Sequence, residues 1–291
     1  MRNNEGRTQI PPELLEQFMK QQEEKIVGQA VQQPVMSPPV QQGGYQVPTD
    51  FVDLPSEGRF YPVGHPWHNK QRVEVRFMTT KEEDILSSQA LAKAGVLLDR
   101  LIQSICVDRI DPSTVLPGDR NAILINARKN AYGSDYSFSL VCTNCVEPYE
   151  HTIDLSTIKN VEIDWNSITE NGTVIVELPT NKATVEFKIL TQADLDKINN
   201  QIEIKKKHGL EVSETFELHR SLIQRINGNN NMDFMNSFIS QMLLKDSKFL
   251  KKKYGEFRPD IDFTFTHTCE HCDHKNEGGV PIGTNFFWSA E

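Results

Sequence analysis

Hydrophobic positions divide the chain into a weakly patterned first segment and a strongly patterned remainder. Residues 1–50 are rich in Gln, Pro and Gly, so they cannot bury enough apolar surface to offset the entropy of ordering the backbone. We therefore expect a disordered arm. Within it, residues 11–27 have the apolar spacing of a short amphipathic helix, with Leu14, Leu15, Phe18 and Met19 on one side. This helix either docks on a partner protein or forms only transiently.

The pattern after residue 50 predicts a strand followed by a long helix. Val73, Val75 and Phe77 alternate as in a half-buried strand, and Thr80 with Glu83 then forms a capping-box pattern. The helix is predicted to continue to about Cys106, because apolar residues follow one face of it: Leu86, Ala90, Ala94, Leu97, Leu101 and Ile105. We expect this helix to form the centre of the core and Cys106 to be a buried, unreactive thiol.

Further helices and one β-hairpin are predicted downstream. A second helix covers residues 120–133 and stops at Gly133. Two β-branched runs on either side of a PTNK turn predict a hairpin over residues 173–189. Three more helices are predicted near residues 191–208, 214–227 and 231–254. The expected fold class is therefore α+β, with a helical core and small β-hairpins.

Four of the five cysteines form two CxxC pairs within similar sequences, DYSFSLVCTNC from Asp135 and DFTFTHTCEHC from Asp262. In both sequences a strand is predicted to enter a CxxC turn, and a second strand can return after it. Two such turns supply the four thiolates of a tetrahedral metal site. We therefore predict one structural zinc ion per chain, bound by Cys142, Cys145, Cys269 and Cys272.

The distance in sequence between the two pairs makes this site a split zinc ribbon. Compact zinc ribbons separate their CxxC pairs by about 15–20 residues, so the hairpin and helices between Cys145 and Cys269 are interpreted as an insertion. The chain then has four segments: the arm at 1–50, a body with the first CxxC pair at 51–160, the insertion at 161–258, and the second pair with an aromatic tail at 259–291.

Other interpretations of the cysteines stay open at this point. Two disulfides, a redox CxxC or unrelated thiols would use the same residues, and one of His267, His271 or His274 could replace a Cys ligand. A redox pair is expected at a helix N-terminus in a βαβ unit, which the pattern does not indicate. A site of four cysteines leaves no coordination position for water, which disfavours a catalytic metal.

The net charge and the absence of known motifs disfavour several classes of function. The formal net charge of −9 disfavours binding to nucleic acid or to anionic membranes, so a zinc-ribbon nucleic-acid-binding or transcription accessory protein is only the alternative function. The lysine runs 205–207 and 251–253 are interpreted as solvated helix ends rather than a phosphate-binding patch. No apolar run is long enough for a membrane helix and no common catalytic motif is present. We expect a soluble, intracellular protein that is not an enzyme.

Several stretches together resemble a known family: GRFYPVGHP, VEVRFMTTKEEDIL, LPGDRNAILINARKNAYGSDYSFSLVCTNC and the closing run NFFW. They are similar to the baseplate hub and hub-assembly proteins of T-even-type contractile-tailed bacteriophages, closely over residues 51–160 and more loosely beyond. The resemblance implies a structural or assembly component of the tail baseplate that acts through other tail proteins. It also implies assembly in the host cytoplasm, and leaves open whether the chain stays in the virion.

Two groups of apolar residues are candidates for contacts with those partners. One is the amphipathic part of the arm, with Leu14, Leu15 and Phe18, and the other is the aromatic run near the end of the sequence, Phe286, Phe287 and Trp288. Aromatic side chains of this kind anchor many protein interfaces. The aromatic run is equally compatible with packing inside the chain.

Overall fold

Short antiparallel strands alternate with helices along residues 46–288, the part of the chain that the computed structural model describes. The strands are β1 (Thr49–Asp53), β2 (Arg72–Arg76), β3 (Asp135–Val141), β4 (Pro148–Asp154), β5 (Thr173–Glu177), β6 (Thr184–Lys188), β7 (Ile223–Ile226), β8 (Thr264–Thr268) and β9 (Lys275–Gly279). The helices are α1 (Thr80–Leu86), α2 (Gln89–Lys93), α3 (Leu97–Ile105), α4 (Pro117–Tyr132), α5 (Gln192–Lys207), α6 (Glu214–Leu222), α7 (Met232–Ser240) and α8 (Leu244–Phe257).

The strands form four small antiparallel sheets, which confirms the predicted mixture of helices and hairpins. The sheets are β1–β2, β3–β4, β5–β6–β7 and β8–β9. One hydrophobic core extends from Val52 in β1 to Phe287 near the end of the described chain. None of the helices between residues 46 and 288 is long and apolar enough to cross a membrane.

Helix α4 lies at the centre of the core. Ten of its 16 residues are buried, and they lie on all sides of the helix, as expected for an element surrounded by protein. The helix ends at Gly133, as predicted, but begins at Pro117 rather than Arg120. The sequence pattern had favoured the segment before Cys106 as the central helix, and that prediction is wrong.

The predicted long helix between residues 80 and 106 is divided into α1, α2 and α3. Ser87 ends α1 with a hydrogen bond from its hydroxyl to the carbonyl of Glu83 (2.8 Å), and the side chain of Ser88 caps α2. The residues assigned to the apolar face behave differently: Ala90 and Ala94 are exposed, whereas Leu86, Leu97, Leu101 and Ile105 are buried. The break turns two small, weakly apolar residues towards solvent without exposing larger ones.

The capping box of α1 lies one residue earlier than predicted. Thr79, not Thr80, is the N-cap, and the carboxylate of Glu82 accepts hydrogen bonds from both the amide and the hydroxyl of Thr79 (2.9 and 2.7 Å). Ser104 also donates to Glu82, over 2.5 Å. This additional bond from α3 favours the register with Glu82 at the third helical position.

Two of the three downstream helices also differ from prediction. The helix predicted at 214–227 ends at Leu222, because Ile223–Ile226 forms β7 and pairs with β6, which makes the predicted hairpin a three-stranded sheet. The helix predicted at 231–254 is two helices, since the chain turns after Ser240, where the amide of Gln241 closes α7. Helix α5 agrees closely with its predicted range.

Residues 159–161 run beside residues 260–262. The amide of Val161 donates to the carbonyl of Asp260 (2.9 Å), and the amide of Asp262 donates to the carbonyl of Lys159 (2.8 Å). Asn160 and Ile261 form an antiparallel bridge between these two bonds. The chain therefore leaves the region of the first CxxC pair and returns to the second through adjacent backbone.

Candidate metal centre

Each CxxC pair lies in the turn of a β-hairpin. The first cysteine hairpin is β3–β4 with Cys142 and Cys145 in its turn, and the second is β8–β9 with Cys269 and Cys272 in its turn. The sequence offset between the two is 127 residues, since 269 − 142 = 127. The strand register has the same offset, because Val141 pairs with Pro148 and Thr268 pairs with Lys275. The predicted strands around both pairs are confirmed.

The backbone of the two turns is also the same. In the first, the amide of Cys142 donates to the carbonyl of Glu147 (2.9 Å) and the amide of Val146 donates to the carbonyl of Cys142 (3.0 Å). In the second, the amide of Cys269 donates to the carbonyl of His274 (2.9 Å) and the amide of Asp273 donates to the carbonyl of Cys269 (3.0 Å). In both, the residue after the second cysteine has a left-handed backbone, with φ of 64° at Val146 and 53° at Asp273.

The two turns face each other and bring the four sulfur atoms together. All four lie within 4.8 Å of one another, with Cys142 Sγ 3.8 Å from Cys272 Sγ and Cys145 Sγ 3.6 Å from Cys269 Sγ. A tetrahedron with metal–sulfur bonds of about 2.3 Å has edges of about 3.8 Å. The sulfur positions therefore fit a single tetrahedral metal ion, and the four cysteines could hold one.

Asn276 fixes one turn against the other, and sequence reasoning missed it. Its side-chain carbonyl accepts hydrogen bonds from the amide (2.9 Å) and hydroxyl (3.0 Å) of Thr143, which lies between the cysteines of the first turn. Its side-chain nitrogen lies 3.5 Å from Cys142 Sγ. Asn276 is buried and belongs to β9 of the second hairpin. It therefore connects both halves of the site directly behind a sulfur ligand.

Hydrogen-bond donors around the sulfur atoms favour thiolates. The amides of Cys145 and Asn144, together with the side chain of Asn276, lower the pKa of Cys142 to about 5. The side chain of Asn144 lowers the pKa of Cys272 as well. Metal ions bind the thiolate rather than the thiol, so these donors prepare the site for a cation.

Cys145 shows the opposite shift. The amide of Glu147 lowers its pKa, but burial and the three neighbouring sulfur atoms outweigh this and raise the pKa to about 12. Negative charges this close repel one another unless a cation lies between them. A divalent cation among the sulfur atoms would allow all four cysteines to be ionised together.

The geometry also bears on the alternative interpretations. The sulfur separations are far longer than the bond of about 2.05 Å in a disulfide. Both CxxC pairs lie between antiparallel strands, not at a helix N-terminus as in redox motifs. His271 and His274 are exposed, and His267 stacks on the ring of Tyr149 at 4.0 Å. Within residues 46–288, the four cysteines are the residues whose side chains lie close enough together to hold a metal ion.

Aromatic side chains pack the two hairpins together behind the sulfur atoms. The ring of His151 stacks on Phe265 at 4.7 Å, and Phe138 meets Phe265 edge-on at 5.3 Å. These contacts cross from the first hairpin to the second. The metal site therefore sits at the end of a packed interface between the hairpins.

The aromatic run near the end of the sequence is divided between core and surface. Phe286 and Phe287 are fully buried, and Phe286 packs edge-on against Tyr136 at 4.8 Å, beneath the guanidinium of Arg128. Of the two interpretations of this run, packing inside the chain holds for these two phenylalanines, because they fill the core beside α4. Trp288 is 48% exposed. Leu14, Leu15, Phe18 and Met19 lie outside the described residues.

Cys106 is buried at the end of α3, as predicted. Burial raises the pKa of its thiol to about 12, which makes it unreactive at neutral pH. It lies outside the group of four metal-binding cysteines.

The lysines of the two helix ends have polar partners, which weakens the phosphate-binding and nucleic-acid interpretations. Lys251 donates to the hydroxyl of Thr215 (2.7 Å). The others form ion pairs, which are Lys205–Glu217, Lys206–Glu214, Lys207–Glu203, Lys252–Glu256 and Lys253–Glu256. Carboxylates that already neutralise these lysines oppose the binding of a further anion.

Comparison with known proteins identifies a matching family. The model of a protein family described as T4 bacteriophage base plate protein matches residues 51–288, which include both cysteine hairpins and everything between them. We found no significant match among curated proteins or among solved structures. The matched range is longer than the residues 51–160 over which the sequence resembles the baseplate family closely.

Proposed function

We infer the function from one premise: the chain belongs to the T4 bacteriophage base plate protein family. Membership supports a structural component of a phage baseplate, which works through contacts with other tail proteins. It also implies a role that is not enzymatic. The resemblance to baseplate proteins of T-even-type phages is confirmed as membership of this family.

We propose that the metal of this component is zinc, one ion per chain, bound by Cys142, Cys145, Cys269 and Cys272. The proposal is supported by the four sulfur atoms within 4.8 Å and by the all-sulfur donor set that structural zinc prefers. Four protein ligands leave no position for water or substrate, so the ion would act on stability alone. The two hairpins would then form a zinc ribbon divided by the residues between them.

We further propose that the chain acts in the hub region of the baseplate. It would assemble in the host cytoplasm, either as a permanent hub subunit or as an assembly factor that is later released. Exposed Trp288 and the arm residues Leu14, Leu15 and Phe18 are the proposed contacts with other tail proteins. Zinc would hold the platform from which such contacts are made.

We also keep the division into segments 51–160, 161–258 and 259–291 as a proposal. The pairing of residues 159–161 with residues 260–262 supports it, because the chain enters and leaves the middle segment at one place. The disordered arm remains a prediction for residues 1–45, which lie outside the described residues. Its predicted boundary at residue 50 is too late, because Thr49 and Asp50 belong to β1.

Metal analysis tests the zinc proposal. The purified full chain should contain one zinc ion, and Cys142→Ser should lose it. Cys106→Ala is the matched control, since it also removes one buried cysteine but lies outside the metal-binding group. Zinc-free wild-type protein that is folded, or full zinc content in Cys142→Ser, would refute the proposal.

Assembly in infected cells tests the baseplate role. A phage unable to make this chain should fail to form complete tails, and the full chain supplied in trans should restore them. Sedimentation of finished particles then separates the two proposed roles, because a hub subunit remains in the particle and an assembly factor does not. Normal tails without the chain would contradict both.

A further inference from the structure

A cavity of about 480 Å³, partly open to solvent, lies between the loop that joins β1 to β2 and the turn at Trp165–Ser167. Its polar lining includes Glu57, Arg59, Asn69, Gln71 and Glu170, and its apolar lining includes Trp165 and Ile168. None of its lining residues belongs to the cluster of four cysteines. Its lining has two carboxylates, one guanidinium and two amides, and is therefore suited to a polar, positively charged ligand.

The wall of the cavity is held in an unusual backbone conformation. Glu57 and Asn69 both line the cavity, and both have left-handed backbones, with φ of 48° and 56°. Their amides are fixed by hydrogen bonds to the carbonyls of Leu54 (2.9 Å) and Gly58 (2.9 Å). Residues in such conformations are held there by their surroundings and cluster at binding sites.

Two glycines allow close backbone contacts around the cavity, Gly58 within the loop that joins β1 to β2 and Gly172 between that loop and the segment that follows Trp165. A Cβ on Gly58 would lie 2.4 Å from the carbonyl of Trp67, and a Cβ on Gly172 would lie 2.7 Å from the carbonyl of Arg59. Both glycines have positive φ. The loop and the segment from Trp165 to Gly172 are therefore locked together, which fixes the shape of the cavity before a ligand arrives.

The aromatic ring of the cavity is already occupied. The guanidinium of Arg59 lies 4.8 Å from the centre of the Trp165 ring, and Arg59 also pairs with Glu57 at 3.1 Å. A carbohydrate would need the free face of such a ring for stacking. The arrangement favours a polypeptide ligand instead, because the Gln71 amide can donate to and accept from a peptide backbone. The side-chain carbonyl of Asn69 can accept from one, while its nitrogen lies 3.0 Å from Nε2 of His68.

Glu170 supplies the remaining charge. It is exposed at the edge of the cavity, and within the described part of the chain it forms no ion pair, whereas Glu57 and Arg59 neutralise each other. We propose that this cavity binds an extended segment of a neighbouring tail protein, with a Lys or Arg of that segment paired to Glu170. This inference rests on the proposed baseplate function and gives it one contact surface.

Site-specific cross-linking tests the inference with the full chain during infection. The photoreactive residue p-benzoylphenylalanine replaces exposed Asn166, which adjoins Trp165 of the lining and is not itself a proposed contact. The cross-linked tails are digested and sequenced by mass spectrometry. We expect a peptide from another tail protein that contains Lys or Arg near the cross-link. Glu170→Gln should lower the cross-link yield about threefold to tenfold, because it removes one charge-assisted contact.

Glu211→Gln is the matched control. Glu211 is also exposed and lies outside the cavity lining, so its replacement should leave the yield unchanged. Once the partner segment is known, changing its basic residue to Glu should restore cross-linking to Glu170→Lys. A cross-link only to a carbohydrate, only to this chain or to an acidic segment would overturn the inference, as would equal yields from wild type and Glu170→Gln.

Sedimentation distinguishes this failure from failure of the proposed function. If the substituted chain enters tail structures without the expected cross-link, the cavity proposal is wrong and the baseplate role stands. If the wild-type chain has no place in tail structures or in their assembly, both proposals are wrong.

Discussion

The two cysteine hairpins have the same metal-facing backbone but different supporting side chains. Both have the same strand register, the same pair of turn hydrogen bonds and a left-handed residue after the second cysteine. The likeness ends at the returning strand, where β4 carries large rings and β9 carries Asn and Gly. The same CxxC turn conformation therefore forms next to two different sets of packing side chains.

The largest side-chain difference lies opposite the central phenylalanine of each hairpin. Phe138 pairs with His151 in the first, and Phe265 pairs with Gly278 in the second. The ring of Phe265 lies over Gly278, where a Cβ would be only 3.0 Å from it. His151 stacks on the same ring. One hairpin supplies a ring at this position and the other supplies the space for a ring.

A second difference lies nearer the metal centre. Tyr149 of the first hairpin corresponds to Asn276 of the second, since 276 − 149 = 127. Tyr149 stacks on His267, whereas Asn276 hydrogen-bonds to Thr143 in the opposite turn. At this pair of equivalent positions the two hairpin sequences differ, and each side chain contacts the opposite hairpin.

The largest effect should come from removing a ligand from either hairpin. Cys142→Ser and Cys269→Ser should each abolish zinc binding and lower stability by several kcal/mol, because zinc contributes about 10–16 kcal/mol to the folding of small zinc peptides. Thermal unfolding with and without a chelator measures this. The two variants should be equally impaired, since they share one ion. A clear difference between them would mean that the hairpins do not contribute symmetrically.

Filling the space in the second hairpin should have the next largest effect. Gly278→Ala should destabilise the protein by about 1–3 kcal/mol, because the added methyl group meets the ring of Phe265 in a packed interface. Gly279→Ala is the control, since a Cβ there meets nothing within 4 Å. Urea unfolding at saturating zinc measures both. Equal midpoints for the two variants would show that the ring can move aside.

Removing the side chain that connects the turns should have a smaller effect on folding and a measurable one on metal affinity. Asn276→Ala removes two hydrogen bonds to Thr143 and a donor near Cys142 Sγ, so zinc affinity should fall about tenfold to a hundredfold. Competition with a chromogenic chelator measures the affinity. Tyr149→Ala, at the equivalent position, should retain the wild-type affinity within about threefold. The opposite order would contradict the assigned role of Asn276.

The smallest effect should be stabilising. Val146 is a β-branched residue with positive φ and is 72% exposed, so Val146→Asn should relieve strain without loss of packing and add about 1 kcal/mol of stability. Asp273→Asn, at the equivalent position, should change stability little, because Asp already tolerates this conformation. Differential scanning calorimetry of the pair is the measurement. A destabilised Val146→Asn would mean that the valine side chain makes a contact of its own.

The cluster of four cysteines was predictable from sequence because its determinants are local and repeated. Each CxxC pair carries its own strands and turn, and the repeat of 127 residues places Cys142 and Cys269 in equivalent positions. Asn276 was not predictable. Its role depends on a contact with Thr143, which lies 133 residues away in sequence.

The helical parts were less predictable for a related reason. Two adjacent threonines precede two adjacent glutamates, so the sequence allows a capping box at Thr79 or at Thr80, and a contact with Ser104 distinguishes them. Ile223 and Ile226 have a spacing that suits a helix, yet they form β7 because β6 offers a pairing edge. The local sequence pattern does not show which distant residue or strand an element will contact.

The pairing of residues 159–161 with residues 260–262 has a consequence for how the protein can be changed. Since the ends of the middle segment are neighbours, its length is not constrained by the distance between the two cysteine turns. Exposed loops of the segment can therefore change in length without separating its two ends, so the sulfur geometry is preserved as long as the residues that pack in the core are kept.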